Sequence, residues 1–448
     1  MGRVAVIGGG AAGMMAALAA AGNGAAVTLY EKNDRVGRKL LATGNGKCNF
    51  ANRDFSVDYY YGNGRLGVDS RRLEGFFRQF SMEDAVAFFK GAGMLVKEKR
   101  GYLYPWSEQA STVSDILRLE LGRRNVEIRV SAEVSGIGKT RIGKSGIGKT
   151  GIGKKGGKGE YGDARFYLEP FEEDGGYHAV IIACGGCAAP KTGSDGSGYV
   201  LAKKLGHRVV ETVPALVQLR CGDAFFKTVA GVRCEAGLTL YACREGKGGR
   251  AKEKDALWER IQEETGELQF TDYGISGIPV FQFSRQAAYL LAEKKNVAVS
   301  VDFFPHLGQQ EYAGLCAGRL RHREGKNVEE FLLGMANKKV NLLLAKLAGL
   351  KPEESAAAIG ERKLEKLLWS YRELRVHVSA VNSFEHAQVT AGGVDMAEVS
   401  DSLSSRKEPG VYFAGEVLDV DGRCGGYNLQ WAWTSGYIAG THAALGRT

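Results

Sequence analysis

Residues 4–31, VAVIGGGAAGMMAALAAAGNGAAVTLYE, decide the fold because they have the pattern of one βαβ unit built to hold a dinucleotide. Residues 4–7 are a short apolar run that is typical of a buried parallel strand. Gly8, Gly10 and Gly13 follow in G-x-G-x-x-G spacing, ahead of a run of helix-forming residues. These glycines would permit the tight turn, the close approach of backbone to a pyrophosphate, and the packing of the helix on the sheet. The stretch therefore predicts a dinucleotide site.

The residue that ends the second strand supports the same prediction. Residues 27–30 form another apolar run and lead to Glu31. An acid at this place accepts hydrogen bonds from the ribose hydroxyls of the adenosine half and disfavours a 2′-phosphate. A purely structural βαβ turn is one alternative, and a signal peptide, suggested by Arg3 and the alanines at 19–21, is another. We favour the dinucleotide site because the glycines stand where a phosphate loop needs them.

Composition limits the remaining choices. The 448 residues suit two or three domains, and the apolar content of 44% is ordinary for a globular protein. No other stretch approaches the roughly 20 apolar residues of a membrane span, so we expect a cytoplasmic protein. The eight cysteines are scattered, and free thiols are the expectation in that compartment. The net charge of +9 would suggest an acidic partner such as nucleic acid, but seven basic residues and no acid lie in 136–159. The rest of the chain carries only +2, so we do not expect a nucleic-acid partner.

The basic segment is a low-complexity repeat. Residues 136–155 read GIGKT, RIGKS, GIGKT and GIGKK in tandem, with too little apolar mass to form a core. Residues 138–145 and 143–150 match the Walker A pattern by this repetition, but a real P-loop needs a buried strand before it and a helix after it. We expect a flexible hairpin extension over 136–159; a tether for a phosphate backbone is the alternative.

The region after the first βαβ unit also has features of a ligand site. Within residues 32–52, every charged residue after Asp34 is basic, and the glycines at 37, 44 and 46 would let the backbone approach a ligand. Residues 178–183 form an apolar strand that ends in Cys184-Gly185-Gly186-Cys187, at the edge of an open α/β sheet where ligands bind. A long ligand that lies across the domain would explain both features.

The remaining chain predicts a second domain inserted in the first. Residues 73–91 have the pattern of one amphipathic helix. The repeat interrupts a predicted β-meander. Its strands fall at residues 126–130 extended by 132–134, 166–168 and 179–183. From about 208 the sequence predicts short strands and then helices. The predicted strands are 209–219, 238–243, 267–270 and 297–301, and the predicted helical stretches are 312–350 and 361–371. A strand at 410–414 and a helix from 429 to about 445 then restore α/β character.

With these elements in view, the chain resembles a family of bacterial FAD flavoproteins. They are known as NAD(FAD)-utilising dehydrogenases or aminoacetone-oxidase-like enzymes, and a bile-acid-reducing flavoprotein is among them. The resemblance rests on four places in the sequence. They are VAVIGGGAAG with Glu31, GRKLLATGNGKCNFAN at 37–52, IIACGGCAAPKTGSDGSGY at 181–199, and VTAGGV at 389–394 together with VYFAGEVLDVDGRCGGYNLQWAWTSGYIAG at 411–440. The repeat at 136–159 and the cysteines at 184 and 187 depart from the family pattern.

The resemblance implies a fold and a set of cofactor-binding residues. The fold class is α/β: a discontinuous Rossmann-like FAD-binding domain, 1–205 with 377–448, and an inserted β-barrel-like domain with a small helical subdomain, 206–376. The residues expected to bind FAD are Gly8, Gly10, Ala12, Gly13, Glu31, Lys32, Arg38, Lys39, Gly44, Asn45, Val134, Gly185, Gly186, Gly415, Glu416, Gly426, Tyr427 and Asn428. The first four would bind the pyrophosphate, Val134 the adenine through its backbone, and the glycine after 425 would open a helix facing the flavin ring. No metal site is expected.

The implied activity is that of an FAD-dependent oxidoreductase. Its small organic substrate would bind between the two domains, where such sites are common. No second genuine G-x-G-x-x-G unit is present, so NADH or NADPH would dock only transiently as electron donor. Oxidation of an amine or carbonyl compound by O₂, a flavin-linked dithiol enzyme using Cys184 and Cys187, and an RNA-associated flavoprotein remain alternatives.

Three further residues are weaker candidates. His377 and His386 flank the predicted return into the FAD-binding domain, where either is a candidate proton donor or a structural histidine. Cys48 belongs to the segment expected near the flavin, with passive packing as its alternative. The sequence identifies no catalytic acid or base.

Overall fold

The computed structural model describes residues 2–62, 69–143, 146–150, 164–174, 176–243 and 258–446. Contacts divide the chain into two units, Met1–Val213 with Gln388–Thr448, and Pro214–Ala387. The first unit contains a parallel sheet and the second a closed barrel, so the predicted fold class is confirmed.

The strands are numbered in chain order. They are β1 Arg3–Ile7, β2 Ala26–Tyr30, β3 Ala51–Asn52, β4 Tyr60–Gly62, β5 Val96–Lys99, β6 Tyr102–Pro105, β7 Glu127–Arg129, β8 Gly136–Gly143, β9 Gly146–Thr150, β10 Ala164–Glu169, β11 Ala179–Ile182, β12 Val213–Ala215, β13 Leu219–Cys221, β14 Arg233–Cys243, β15 Glu259–Phe270, β16 Gly274–Ser276, β17 Asn296–Asp302, β18 Leu374–Val381, β19 Val389–Ala391, β20 Val411–Phe413 and β21 Val420–Gly422.

The α-helices are numbered in the same way. They are α1 Ala11–Gly22, α2 Arg38–Ala42, α3 Ser70–Gln79, α4 Met82–Gly91, α5 Ala110–Arg123, α6 Ser197–Lys204, α7 Phe226–Val229, α8 Ile278–Ala292, α9 Gln309–Arg321, α10 Val328–Leu332, α11 Lys338–Leu347, α12 Glu361–Trp369 and α13 Tyr427–Leu445.

The first unit is organised by a five-stranded parallel sheet in the order β20, β11, β1, β2, β7. β1 pairs with β11 on one side, Val4 opposite Ala179, and with β2 on the other, Arg3 opposite Ala26. Apart from the first residues of β1 and β2, the central strands are buried along their length, as expected for a parallel sheet that is covered on both faces. The carboxyl ends of all five strands meet at one edge, which is where ligands bind in open α/β sheets.

Helices α1 and α13 pack against each other unusually closely, and glycine makes this possible. A Cβ added at Gly436 would lie 2.5 Å from the carbonyl oxygen of Ala12, and one at Gly440 would lie 2.2 Å from that of Ala16. These distances are shorter than any side chain tolerates, so the two backbones approach only because both positions of α13 lack a side chain. The first and last helices of the chain are thereby held side by side.

The second unit is built on a closed barrel in the order β13, β16, β15, β14, β17, β18. β14 and β15 form a long antiparallel pair, and β17 pairs with β14 and β18. Along β14 the residues alternate between buried and more exposed positions, as expected for a strand with one face on a core. Helices α9 to α12 and the apolar residues of the barrel contribute to one hydrophobic core.

The boundaries between the units differ from the predicted ones. Residues 206–213 lie with the first unit, and residues 377–387 lie with the second. Residues 377–381 belong to the second unit because they are part of β18. This strand closes the barrel by pairing with β13 and β17. These pairings join residues far apart in sequence, so no local signal marks them.

Several predicted elements are wrong in their extent. The single helix predicted over 73–91 is two helices, because Ser81 accepts a hydrogen bond from the Asp84 N–H and Asp84 accepts one from the Ser81 N–H. This capping box starts a new helix at Met82. The helical stretch predicted over 312–350 is likewise divided into α9, α10 and α11, and α8 was not predicted at all.

The meander prediction also needs correction. The strand predicted over 126–134 is β7, which pairs in parallel with β2 in the central sheet and ends at Arg129. β8 begins within the repeat and pairs with both β9 and β10. The described part of the repeat thus forms two antiparallel paired strands, while residues 144–145 and 151–159, on which part of the predicted hairpin extension falls, lie outside the described residues.

The close packing of α1 and α13 can be tested by returning a side chain to it. Gly440→Ala should destabilise the protein by about 1–3 kcal/mol, because its methyl group would overlap the Ala16 carbonyl. The matched control is Gly75→Ala in α3, where a Cβ would meet no atom within 4 Å and should stabilise by up to about 1 kcal/mol. Thermal unfolding of the purified protein measures both. An unchanged midpoint for Gly440→Ala would contradict the packing argument.

Candidate cofactor site

Two of the motif glycines are required by packing of the chain on itself. Gly8 has a φ of +106°, and a Cβ there would lie 2.5 Å from the carbonyl oxygen of Ala183. A Cβ at Gly13 would lie 1.8 Å from the carbonyl oxygen of Gly8. The turn between β1 and α1 therefore fits against the end of β11 only with glycine at both positions.

Gly10 is different because no protein atom would meet its side chain. Its φ of −78° is open to any residue, and a Cβ there would have nothing within 4 Å. No side chain caps the start of α1, so its first N–H groups are without the partner that a cap would supply. An uncapped helix start beside an open glycine is a place where an anion such as a pyrophosphate fits.

Glu31 lies buried beside this turn and is held by protein groups. Its carboxylate accepts hydrogen bonds from the Gly9 N–H at 2.8 Å, from the Asn33 N–H at 2.8 Å and from the Asn33 side chain at 2.6 Å. A carboxylate offers about four lone-pair positions, so roughly one remains for a ribose hydroxyl. The carboxylate fixes the glycine turn, and its predicted contact with the ribose stays a prediction.

Two of the basic residues expected to bind FAD, Lys32 and Arg38, are also engaged with protein groups. Lys32 forms an ion pair with Asp195 at 2.6 Å. Arg38 donates to the Asn33 side chain at 2.9 Å. Both side chains therefore lie around Glu31, at the same edge of the sheet.

Lys39 and Glu416 form the centre of a second group at this edge. The Lys39 ammonium lies 2.7 Å from one carboxylate oxygen of Glu416, and the Thr390 N–H donates to the other at 2.8 Å. The Thr390 hydroxyl accepts from the N–H groups of Cys187 and Ala188 at 2.8 and 3.0 Å. Thr390 was not predicted as a site residue, although it lies within the VTAGGV motif.

The glycines of this group allow the contacts. A Cβ at Gly186 would lie 2.4 Å from the Thr390 hydroxyl, and one at Gly185 would lie 2.9 Å from that of Ser194. Gly415 has a φ of +79°, and a Cβ there would lie 2.6 Å from the Cβ of Ala12. The structure thus brings the ends of β1, β11 and β20 together with the predicted residues 185–186 and 415–416.

The start of α13 is built from a glycine and two engaged side chains. Gly426 has a φ of +96°, and a Cβ there would lie 2.9 Å from the Ala51 backbone. The Asn428 side chain binds both the N–H and the carbonyl of Gly422, each at 2.8 Å, and the Tyr427 hydroxyl donates to the Asp54 carbonyl at 2.7 Å. No side chain caps this helix. Its backbone N–H groups, rather than the Tyr427 and Asn428 side chains, are what it presents at its start.

Asn49 is a residue that the sequence reasoning missed. Its carboxamide oxygen is buried and has no hydrogen-bond partner among the described residues. It lies between two predicted site segments: a Cβ at Gly44 would be 2.9 Å from the Asn49 nitrogen, and one at Gly426 would be 3.1 Å from the Asn49 oxygen. Gly44 and the exposed Asn45 both have left-handed backbone conformations. A buried acceptor without a partner is costly, so this oxygen fits a ligand that donates an N–H group.

Val134 is the predicted residue that lies outside these groups. Its side chain is buried between β7 and β8. Its backbone N–H forms no hydrogen bond with another described residue. The predicted contact with adenine stays a prediction.

These features together fit FAD. Two uncapped helix starts, an open glycine and an unpartnered buried acceptor are all placed to receive an elongated anionic ligand with a ring N–H group. When bound, FAD would supply hydride transfer, and the protein would supply orientation and electrostatics. The start of α1 would hold the pyrophosphate, and the start of α13 with Asn49 would hold the ring.

The cysteines and histidines proposed from the sequence do not have the surroundings of reactive groups. Burial raises the pKa of Cys48 and that of Cys184 to about 12, and burial also raises the pKa of Cys187. His377 lies in the barrel unit, where Asp223 accepts from its backbone N–H at 2.8 Å and contacts its ring at 3.1 Å. His386 is exposed in the same unit.

Two kinds of feature are absent from the described residues. No helix among them is both long and apolar enough to cross a membrane. The same residues contain no group of three or more histidine, cysteine or acidic side chains that would hold a metal ion.

Comparison with known proteins gives a family. The HI0933-like protein Rossmann domain matches residues 2–155 and 160–442. A 3-dehydro-bile acid delta(4,6)-reductase of Clostridium scindens is 37% identical over 447 residues, 99% of this chain and 99% of that protein. A ribosomal RNA dihydrouridine synthase of Escherichia coli is 27% identical over 434 residues, 96% of this chain and 95% of that protein. A solved 3-ketosteroid delta1-dehydrogenase from Sterolibacterium denitrificans is 13% identical with a TM-score of 0.46, covering 99% of this chain and 100% of that one.

The fold and the family together define an FAD-dependent oxidoreductase. The chain belongs to the HI0933-like family, since the family match covers nearly all of it and a relative is 37% identical along both full lengths. The predicted membership of an FAD flavoprotein family is thereby confirmed.

Gly10 provides a test of the pyrophosphate site. Gly10→Ala should weaken FAD binding by about tenfold or more, because its methyl group would occupy space that only a ligand uses. The stability of the FAD-free protein should change by less than about 0.5 kcal/mol. Gly22→Ala, at the other end of α1 and also free of contacts, is the matched control and should bind FAD normally. Fluorescence titration with FAD measures the affinities; equal affinity for both variants would refute the assignment.

The thiol pKa values provide a second test. Only the thiolate reacts, so alkylation of Cys184 and Cys187 by iodoacetamide should be slow at pH 7 and accelerate as the pH rises toward their raised pKa values. Mass spectrometry of the native protein, with urea-unfolded protein as the control, gives the rates. Rapid modification of either cysteine at pH 7 in the native protein would revive the dithiol hypothesis.

Proposed function

We propose that this protein is a reductase that uses bound FAD to pass a hydride from NADH or NADPH to the C=C bond of an unsaturated carbonyl compound. The observation that carries this proposal is the 37% identity, over 99% of both chains, with the bile acid delta(4,6)-reductase. The name of that relative describes saturation of double bonds in a 3-oxo bile acid. A small apolar ketone of steroid-like size is therefore the substrate class that we infer.

The site supports a redox role for the cofactor. No side chain caps the start of α13, so the positive end of this 19-residue helix would be available to a flavin ring bound there. Such a helix end stabilises the negative charge that a reduced flavin carries. The chain contains one genuine dinucleotide motif, which the FAD would fill, so the nicotinamide would bind transiently at the flavin face.

An RNA substrate is the second candidate. The observation that favours it is the 27% identity, over 96% of this chain, with the ribosomal RNA dihydrouridine synthase. Dihydrouridine differs from uridine by two hydrogens on a C=C bond conjugated to a carbonyl group. Both candidates therefore require the same chemistry on substrates of very different size and charge. We favour the small ketone because identity to the bile-acid enzyme is higher.

Anaerobic spectroscopy of the FAD-loaded protein tests the proposal. NADH or NADPH should bleach the visible flavin band, and the preferred nicotinamide should do so faster. Addition of a 3-oxo bile acid with double bonds at positions 4 and 6 should then restore the band, whereas its saturated 3-oxo counterpart should not.

Other outcomes distinguish the alternatives. If ribosomal RNA restores the flavin band and the ketone does not, the RNA substrate is favoured. The affinity of the protein for that RNA should then fall steeply as the salt concentration rises. A band that is bleached by an amine or a thiol but by neither nicotinamide would contradict the reductase proposal and favour the oxidase or the dithiol enzyme.

A further inference from the structure

The proposed reaction needs a proton as well as a hydride. Reduction of a C=C bond conjugated to a carbonyl group places the hydride on the β-carbon and a proton on the α-carbon. With FAD bound, the nicotinamide would supply the hydride. The proton has to come from a group that is protonated at neutral pH and reaches the substrate beside the flavin ring. In the structure this means a group near the start of α13.

Most acidic groups around that helix start are already engaged. The Tyr60 hydroxyl is buried and donates to the Tyr427 carbonyl at 3.0 Å. The Tyr427 hydroxyl donates to the carbonyl oxygen of Asp54 at 2.7 Å, and the Tyr59 hydroxyl donates to the Asp54 carboxylate at 3.3 Å. Cys48 is fully buried. None of these four groups is free to approach a substrate.

Tyr102, the first residue of β6, is not engaged in this way. It is partly exposed, and its hydroxyl has no hydrogen-bond partner among the described residues. Its ring lies against the turn that opens α13, since a Cβ at Gly425 would be 2.9 Å from Tyr102 Cε1. Asn52 holds the same turn by donating to the Gly425 carbonyl at 2.9 Å, and Asn52 is paired with Tyr102 across β3 and β6.

We propose that Tyr102 is the proton donor of the reduction, an assignment that rests on the proposed function. The β-carbon of the unsaturated ketone accepts the hydride, which derives from NADH or NADPH. The resulting electron pair on the α-carbon takes the proton from the Tyr102 hydroxyl. The tyrosinate then regains a proton from water. The net change is two hydrogens added to the substrate and one nicotinamide oxidised.

The surroundings of Tyr102 suit an acid that is protonated before each turnover. Burial raises its pKa above 10, Cys424 and Asp54 add to this effect, and Arg423 opposes it. The other titratable groups that face it are Tyr427 on α13, Tyr104 on its own strand and Lys99, its partner on β5. Since the pKa is raised above that of an ordinary tyrosine, the donor form is present throughout the neutral range and is lost only at strongly alkaline pH.

Tyr104 is a matched control for Tyr102. It lies two residues further along the same strand, so its side chain leaves the same face of the sheet. It is also partly exposed, and its hydroxyl has no partner among the described residues. The atoms nearest to a Cβ at Gly425 belong to Tyr102, Tyr427 and Asn52, and not to Tyr104. Its removal should leave the proton transfer intact.

The experiment separates the two half-reactions in a stopped-flow spectrometer. Tyr102→Phe should bind FAD and be reduced by NADH or NADPH within about twofold of the wild-type rate. Reoxidation of the reduced protein by the unsaturated ketone should be slower by roughly 10²–10⁴-fold. The affinity of the oxidised protein for the ketone, read from the shift of the flavin band, should fall by less than about tenfold. Tyr104→Phe should match the wild type in all three measurements.

The outcomes separate a failure of the Tyr102 assignment from a failure of the proposed function. If the ketone reoxidises Tyr102→Phe at the wild-type rate, the assignment of Tyr102 is refuted while the proposed function stands. If the ketone does not reoxidise even the wild-type protein, the proposed function fails, and the assignment of Tyr102 fails with it. If Tyr102→Phe does not fold or bind FAD, the pH dependence of the wild-type reoxidation decides: we expect a constant rate that falls only above pH 10. A fall centred below pH 9 would identify a different acid.

Discussion

The structure depends on one constraint, the backbone contact between the first and last helices of the chain. Gly436 and Gly440 let α13 approach the carbonyl oxygens of Ala12 and Ala16 to distances that no side chain permits. Gly13 makes the equivalent contact with the turn after β1. Because of these contacts, the uncapped starts of both helices are held in one unit with the edge of the parallel sheet. The cofactor site that we propose at these helix starts therefore depends on positions that lack a side chain.

The same edge shows a division between side chains and backbone. Glu31, Lys39 and Glu416 are the charged residues with the clearest expected roles at a dinucleotide, and each is bound to protein groups. What remains for a ligand is mainly backbone N–H at two helix starts, with the Asn49 oxygen as an added acceptor. The two carboxylates and the lysine therefore fix the arrangement of the protein groups at this edge of the sheet. On our proposal, recognition of the anionic cofactor would come from the two helix starts, because a helix N-terminus favours negative charge.

The sequence predicted the parts of the fold whose signals are local. The apolar strands at residues 4–7 and 178–183, the glycine spacing and the C-terminal helix were readable because each is specified by neighbouring residues. The position of Thr390 was not, since it depends on contacts with Glu416 and with Cys187, 26 and 203 residues away. The predicted end of the inserted domain at residue 376 differs from the observed one for the same reason. β18 belongs to the barrel because it pairs with β13, which is distant in sequence. The helix break at Ser81 had a local signal, the capping box with Asp84, and amphipathic periodicity concealed it.

Hydride and proton delivery place opposite electrostatic demands on the start of α13. A helix N-terminus favours negative charge, which suits a reduced flavin but would also favour ionisation of a nearby tyrosine. Arg423 acts in the same direction on Tyr102, whereas burial and the nearby Asp54 and Cys424 act against it, and the pKa of Tyr102 is raised. The donor thus keeps its proton beside a helix end that stabilises anions. Its position on β6, against Gly425 rather than on the helix itself, gives it a partly buried site of its own. The start of α13 can then stabilise a reduced flavin without causing the nearby Tyr102 to lose its proton.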